Sequence, residues 1–168
     1  MNSKQKAQKF QQRLGQLGIR CELLLGGQAM TEDERKEVVK RFRERQFDTL
    51  ISTNVIARGF DVPEVDVVLN LDLPRFRDPS GFYEPDYENF LHRVGRTGRF
   101  GTDGIALTIY KDGELNEATT GVDVEADFDE APMLRKIEDH YKVTFIEIKD
   151  LKEMKTKLSE MRGYSEDV

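Results

Sequence analysis

The sequence predicts an α/β fold, a mostly parallel sheet with helices on both faces. Three observations carry it. Short apolar strands alternate with segments of helical spacing, so successive strands need crossover connections. Val65 to Leu71 is apolar on both sides, as a strand covered on two faces is. The length, 168 residues, suits one domain of about 100–200 residues, and residues 1–168 are read as a single domain.

The elements follow in order. Ala7, Phe10, Leu14 and Leu17 recur at helical spacing, and Gly18 ends that helix. Ile19, Cys21, Leu23 and Leu25 alternate as a strand that Gly26-Gly27 stops. Thr31 to Glu34 has the capping-box pattern, ahead of Val38, Val39 and Phe42 on one helix face. Phe47 to Ser52 and Val65 to Leu71 read as strands. Pro74 to Asp86, polar and with three prolines, reads as a surface loop. Asp86 to Val94 is predicted helical, Ile105 to Tyr110 a strand, Pro132 to His140 a helix, Val143 to Ile148 a strand and Leu151 to Met161 a last helix. Between them, Asp112 to Glu130 is acidic with few large apolar residues, and reads as a mobile surface loop. The chain opens almost directly on a helix, where a doubly wound domain usually enters from a strand. The sheet is therefore expected to lack its N-terminal strand.

Composition narrows the function classes. The chain carries 26 Lys+Arg against 32 Asp+Glu, a net charge of −6. A phosphate-binding domain usually shows a basic excess, so the balance looks unfavourable to nucleic acid. The acidity is uneven, however. Residues 1–110 hold 17 basic and 16 acidic side chains, whereas the last 58 residues hold 9 and 16. The one cysteine, Cys21, allows no internal disulfide and fits a reducing compartment. No apolar run approaches the ~18 residues of a membrane span, and the first residues show no secretory h-region. These features predict a soluble intracellular protein with no membrane partner.

The densest chemical signal is His92-Arg93-Val94-Gly95-Arg96-Thr97-Gly98-Arg99, three arginines within seven residues interleaved with two glycines. Glycine lets backbone approach a ligand closely, and the guanidinium fork matches phosphate oxygens. This spacing resembles motif VI of the DEAD-box RNA helicases of superfamily 2. Ser52 to Pro63, with Ala57-Arg58-Gly59-Phe60-Asp61, resembles their motif V, and Asn70-Leu71-Asp72-Leu73-Pro74 resembles the strand end that follows. All three occur in family order. The resemblance covers about residues 3 to 150 and identifies the C-terminal, second RecA-like domain. Asn54 and the long stretch from Pro74 to Asp86 resemble the nuclear-pore mRNA-export subgroup, while Gly26-Gly27 departs from the usual His-Gly.

The resemblance implies roles residue by residue. Arg96 and Arg99 would reach the γ-phosphate of ATP, where a fixed guanidinium stabilises the charge spread in phosphoryl transfer. Asp61 would accept hydrogen bonds from the ATP ribose, with Gly59 giving room. Without the motif, Asp61 reads first as a surface turn acid ahead of Val62-Pro63. Thr53 would donate to an RNA phosphate. Arg35 falls on the arginine of the family's Gln-x-x-Arg element, which contacts RNA backbone, although Glu32 stands in the Gln place. Alone, Arg35 reads equally as a helix-surface charge. Gly27 either admits an RNA phosphate or ends a strand. Arg58, His92 and Arg93 would couple the domain to its partner.

No Gly-x-x-x-x-Gly-Lys phosphate loop and no Asp-Glu-Ala-Asp string occurs here. The resemblance assigns both, with the Mg2+ ligands, to the N-terminal RecA-like domain. The chain is thus expected to supply half of an ATP site and half of an RNA groove, and to be inactive alone. RNA, that N-terminal domain and a nuclear-pore activator are the implied partners, and cytoplasm or nucleus the implied place. Two other readings compete: a non-catalytic RecA-like binding module, and part of a DNA-directed superfamily 2 helicase. Arg96, Arg99 and Asp61 together argue against the first, and the leading His92-Arg93 against the second.

Overall fold

The computed structural model describes residues 3–53, 65–98, 104–111 and 129–162. The chain divides into two compact units, residues 1–137 and 138–168.

The first unit opens with α1 (Lys4–Gln16), capped by Ser3, whose hydroxyl accepts from the Lys6 N–H. Its apolar stripe puts Ala7 wholly out of solvent against Leu25 and Ile51, with Phe10 and Leu14 alongside. Gly18 takes a φ of +76° and lets Ile19 N–H reach back to the Leu14 carbonyl, closing the helix. Strand β1 (Cys21–Leu24) then pairs in parallel with β2 (Thr49–Ser52), Cys21 opposite Thr49 and Leu24 opposite Ser52.

Between them runs α2 (Glu32–Arg43). Its predicted capping box is present: Glu34 N–H donates to the Thr31 hydroxyl at 3.2 Å, and Thr31 N–H to Glu34 Oε2 at 2.6 Å. Val38 and Val39 bury against Leu24 and Phe47, and Phe42 stacks on Phe47. Arg41 grips Glu22 of β1 with both arms of its guanidinium, so helix and strand are tied across their polar rim as well as through the core.

A second parallel pair joins β3 (Val67–Asn70) to β6 (Ile105–Thr108). Asn70, buried, donates its side-chain amide to the Thr108 hydroxyl at 3.2 Å. α3 (Tyr87–Val94) is N-capped by Asp86 and buries Phe90. α4 (Ala131–Tyr141) begins in this unit and buries Met133 and Ile137. The parallel pairs and covering helices bear out the α/β class, but β3 is not covered on both faces as its apolar run implies, since Val67 and Leu69 stand exposed.

Three further expectations are corrected. The stretch from Pro74 to Asp86 is no simple loop: β4 (Arg75–Arg77) and β5 (Tyr83–Pro85) form an antiparallel hairpin. Asp78 closes its turn by accepting the Phe82 N–H, and Pro74 and Pro85 are fully buried at its base. The prolines sit where no ladder N–H is needed. Glu130, at the end of the presumed mobile loop, is also buried, while 112–128 lie outside the described residues.

In the second unit, Val143 to Ile148 is not a strand. Its amides find acceptors locally: Val143 N–H donates to the Glu138 carbonyl, and Phe145 N–H to the Glu138 carboxylate at 2.7 Å. Ile146 stays exposed, so the apolar alternation meets no sheet. α5 (Leu151–Arg162) follows, its first turn held by Asp150, which accepts the Glu153 N–H, and by Glu153, which accepts the Lys149 N–H. Among the described residues, no helix is long and apolar enough to cross a membrane.

Candidate functional site

Two loops of the first unit hold the described candidates. The first joins β1 to α2. Gly27 has a φ of +64°, which a side chain resists, and a Cβ there would lie 3.4 Å from Lys4 Nζ. The Gly26 N–H donates to the Thr53 hydroxyl at 3.3 Å, and Thr53 N–H to the Leu24 carbonyl at 3.3 Å. Arg35, from the first turn of α2, brings Nη1 to the carbonyls of Met30, Gly27 and Leu25 at 2.9, 3.1 and 3.4 Å. Gly27, Arg35 and Thr53 therefore come together just beyond the carboxyl ends of β1 and β2. Ligands of open parallel sheets bind in that position. Lys4 was missed by sequence reasoning; it sits on the first helical turn with nothing local to mark it.

The second loop follows α3. Gly95 caps the helix, its N–H on the Leu91 carbonyl at 2.8 Å, and a Cβ there would press to 3.0 Å on that same oxygen. The turn through Arg96 and Thr97 is fastened to the approach to β3. Val65 N–H donates to the Arg96 carbonyl at 3.0 Å, and the Thr97 hydroxyl to the Asp66 carbonyl at 3.0 Å. Gly104 closes over it: a Cβ would fall 2.2 Å from both Gly98 N and Thr97 Oγ1. Only a glycine fits there.

Arg93 turns inward. Its Nη1 lies 2.8 Å from the Asp72 carbonyl and 3.1 Å from Asp72 Oδ1, with both side chains mostly buried. It thereby locks α3 to the segment that leaves β3. Asp72 and Gly104 are the residues sequence reasoning did not single out here. The signal for Asp72 was its place in Asn70 to Pro74, and for Gly104 a glycine just ahead of a strand. His92 lies half-buried in the last turn of α3. Arg58, Gly59, Asp61 and Arg99 lie outside the described residues.

The arrangement suits anions. Backbone turns with glycine at close approach carry guanidinium and ammonium groups, which are the donors that recognise phosphate. Among the described residues, no group of three or more His, Cys, Asp or Glu could hold a metal ion.

Comparison with known proteins gives the family. The family model described as "Helicase conserved C-terminal domain" matches residues 1–101. The ATP-dependent RNA helicase DDX25 of Bos taurus is 42% identical over 118 residues, covering 70% of this chain and 20% of its own length. The chain thus spans about a fifth of that curated relative. Among solved structures, S. cerevisiae Dbp5 bound to RNA and ADP BeF3 is similar, with a TM-score of 0.71 and 28% identity over 95% of this chain and 36% of that one. The C-terminal domain of a Dbp5 variant from S. cerevisiae, bound to a Gle1 variant and IP6, has a TM-score of 0.67 and 26% identity. It covers 95% of this chain and 79% of that one.

Proposed function

We propose, from the premise that the chain belongs to the family of helicase conserved C-terminal domains, that it is the second RecA-like domain of an ATP-dependent DEAD-box RNA helicase. It acts in RNA duplex unwinding or RNP remodelling, within mRNA export at the nuclear pore. The observation that carries this reading is the fastened turn from Gly95 to Gly98. Arg93 on Asp72, Thr97 on Asp66 and the close fit of Gly104 fix the backbone on both sides of Arg96.

A guanidinium held on such a turn needs no reorganisation when charge develops on a phosphoryl group, so it stabilises the transition state more than the ground state. ATP supplies the phosphoryl group that is transferred, and Mg2+ is held by the N-terminal RecA-like domain. In this reading Arg96 and Arg99 meet the γ-phosphate, and Asp61 and Gly59 take the ribose. Arg58 and His92 couple the motifs across the cleft, and Arg93 couples through the position it gives α3. RNA phosphates are met at Gly27 and Thr53, with Lys4 as a further cation, on a loop that Arg35 shapes from inside. Contacts to phosphate and 2′-hydroxyl give little sequence preference and strong salt dependence. Dbp5 is found with RNA and, as a variant, with Gle1. A nuclear-pore activator of the Gle1 kind is accordingly the proposed protein partner.

The test joins the chain to its N-terminal RecA-like domain and measures RNA-stimulated ATP hydrolysis. Arg96→Lys is expected to lower turnover by about 10³, since a point charge does not reproduce the fork. The 168-residue chain alone is expected to hydrolyse nothing. Turnover by the isolated chain, or full activity of Arg96→Lys, would overturn the reading.

A further inference from the structure

Glu130 stands just ahead of α4 with 8% of its surface exposed. Its Oε2 accepts the Lys111 N–H at 3.1 Å, and its own N–H donates to the Lys111 carbonyl at 2.8 Å. Oε1 lies 3.9 Å from Arg75 Nη1, at the start of the hairpin. Asp72, which holds Arg93, is near enough to repel it. Two arginines and two carboxylates thus share one nearly dry region, their side chains between 10% and 17% exposed. They come from four separate parts of the chain: the exit of β3, β4, α3 and the approach to α4.

Such a quartet pairs in more than one way. Arg75 follows Asp72 by three residues and both act on the Glu130 charge, so the two arginines share the neighbourhood of two carboxylates; Arg75 also stacks on the Tyr83 ring at 4.3 Å. Glu130 faces Arg75, and Asp72 holds Arg93. Burial pushes the Glu130 carboxyl above its ordinary 4.5, and Asp72 adds to the push. The Lys111 N–H, Arg75 and the Lys111 charge oppose it without prevailing. The ionised form is therefore disfavoured there relative to the neutral one.

We propose that Glu130 is a positioning residue: by engaging Arg75 it reserves Asp72 for Arg93, and so fixes the end of α3 and the turn that presents Arg96. The consequence for turnover rests on the helicase reading above; the positioning itself does not.

The 168-residue chain carrying Glu130→Gln tests it directly. At neutral pH its urea midpoint is expected to be no lower than the parent's. Amide hydrogen exchange at Gly95 and Arg96, whose N–H groups bond to the Leu91 and Arg93 carbonyls, is expected to quicken about tenfold. Adding Arg75→Gln removes the competitor for Asp72 and is expected to restore slow exchange. In the two-domain protein, Glu130→Gln should lower kcat for RNA-stimulated ATP hydrolysis by roughly tenfold, as a small misplacement of a charge-stabilising group does, with KM for ATP within twofold. Unchanged exchange overturns the proposal. So does a lowered urea midpoint with turnover intact, or exchange that Arg75→Gln fails to restore. Should the parent two-domain protein show no RNA-stimulated turnover, the helicase reading falls, and the exchange data still decide the positioning.

Discussion

Arg35 and Arg93 both turn inward to hold a loop of the first unit, and they find acceptors of opposite kind. Arg35 rests on three backbone carbonyls, and its charge also acts on Glu32 and Glu34. Arg93 meets the carboxylate of Asp72, and that pair sums to zero. The loop at Gly27 is therefore stiffened from inside, with Lys4 Nζ beside it. The end of α3 is stiffened by a pair whose charges cancel. An inward arginine thus braces a loop either through dipoles or through a carboxylate, and the two braces should fail differently when it is removed.

The largest expected effect lies on the ion-pair side. Arg93→Met keeps the apolar stem and leaves Asp72, mostly buried, without that partner. Breaking a buried pair from one end typically costs about 3–5 kcal/mol, and urea unfolding of the chain should show a loss in that range. Arg93→Met with Asp72→Leu removes the stranded charge too, and should recover much of the stability. The carbonyl side should respond less. Arg35→Met abandons hydrogen bonds worth about 1.5–3 kcal/mol for a charged donor, and loosens the loop from 25 to 30. RNA affinity of the two-domain protein is expected to fall about tenfold. The slope of log affinity against log salt should stay unchanged, because Arg35 braces the loop rather than touching phosphate. A slope lowered by about 0.7, the value for one lost single-strand contact, would place the guanidinium on the RNA instead.

What the sequence made legible follows the range of the interactions. Local periodicity and capping chemistry reach only a few residues, and they placed α1, α2 and both parallel pairs correctly to within a residue or three. Motif spacing marked Arg93 and Arg96, but whether an arginine points inward is decided by what lies across the fold. Asp72 is 21 positions from Arg93, and nothing local announces the pairing. The hairpin from Arg75 to Pro85 was hidden because proline and charge are also the marks of a loop. Its order comes from Arg75 and Arg77 stacking on Tyr83, at 4.3 and 4.6 Å from the ring centre. Glu130 was hidden for the opposite reason, as one more acid at the end of an acidic run. Val143 to Ile148 shows the converse error, since alternation favours a strand only where a sheet face is there to receive it.

The smallest effect concerns how firmly α2 presents Arg35 to its carbonyls. The helix begins at the Thr31–Glu34 box, one residue short of Arg35. The Glu34 carboxyl is held below its ordinary 4.5, first by the Thr31 N–H and then by the Thr31 hydroxyl. A carboxylate with a depressed native pKa stabilises the fold above its unfolded value and loses that contribution as pH falls through the native one. The cap should therefore weaken on acidification below pH 4.5 and hold at neutral pH. Thr31→Ala removes the hydroxyl but keeps the backbone N–H, so the acid dependence should become shallower without vanishing, and the helix should lose about 1 kcal/mol at neutral pH. If the Arg35 brace depends on the helix start, amide exchange at Gly27 quickens in this variant. If the three carbonyls suffice, Gly27 exchanges as in the parent while α2 frays. We expect the second outcome, because the carbonyls that hold the guanidinium lie ahead of the helix and do not move with its first turn.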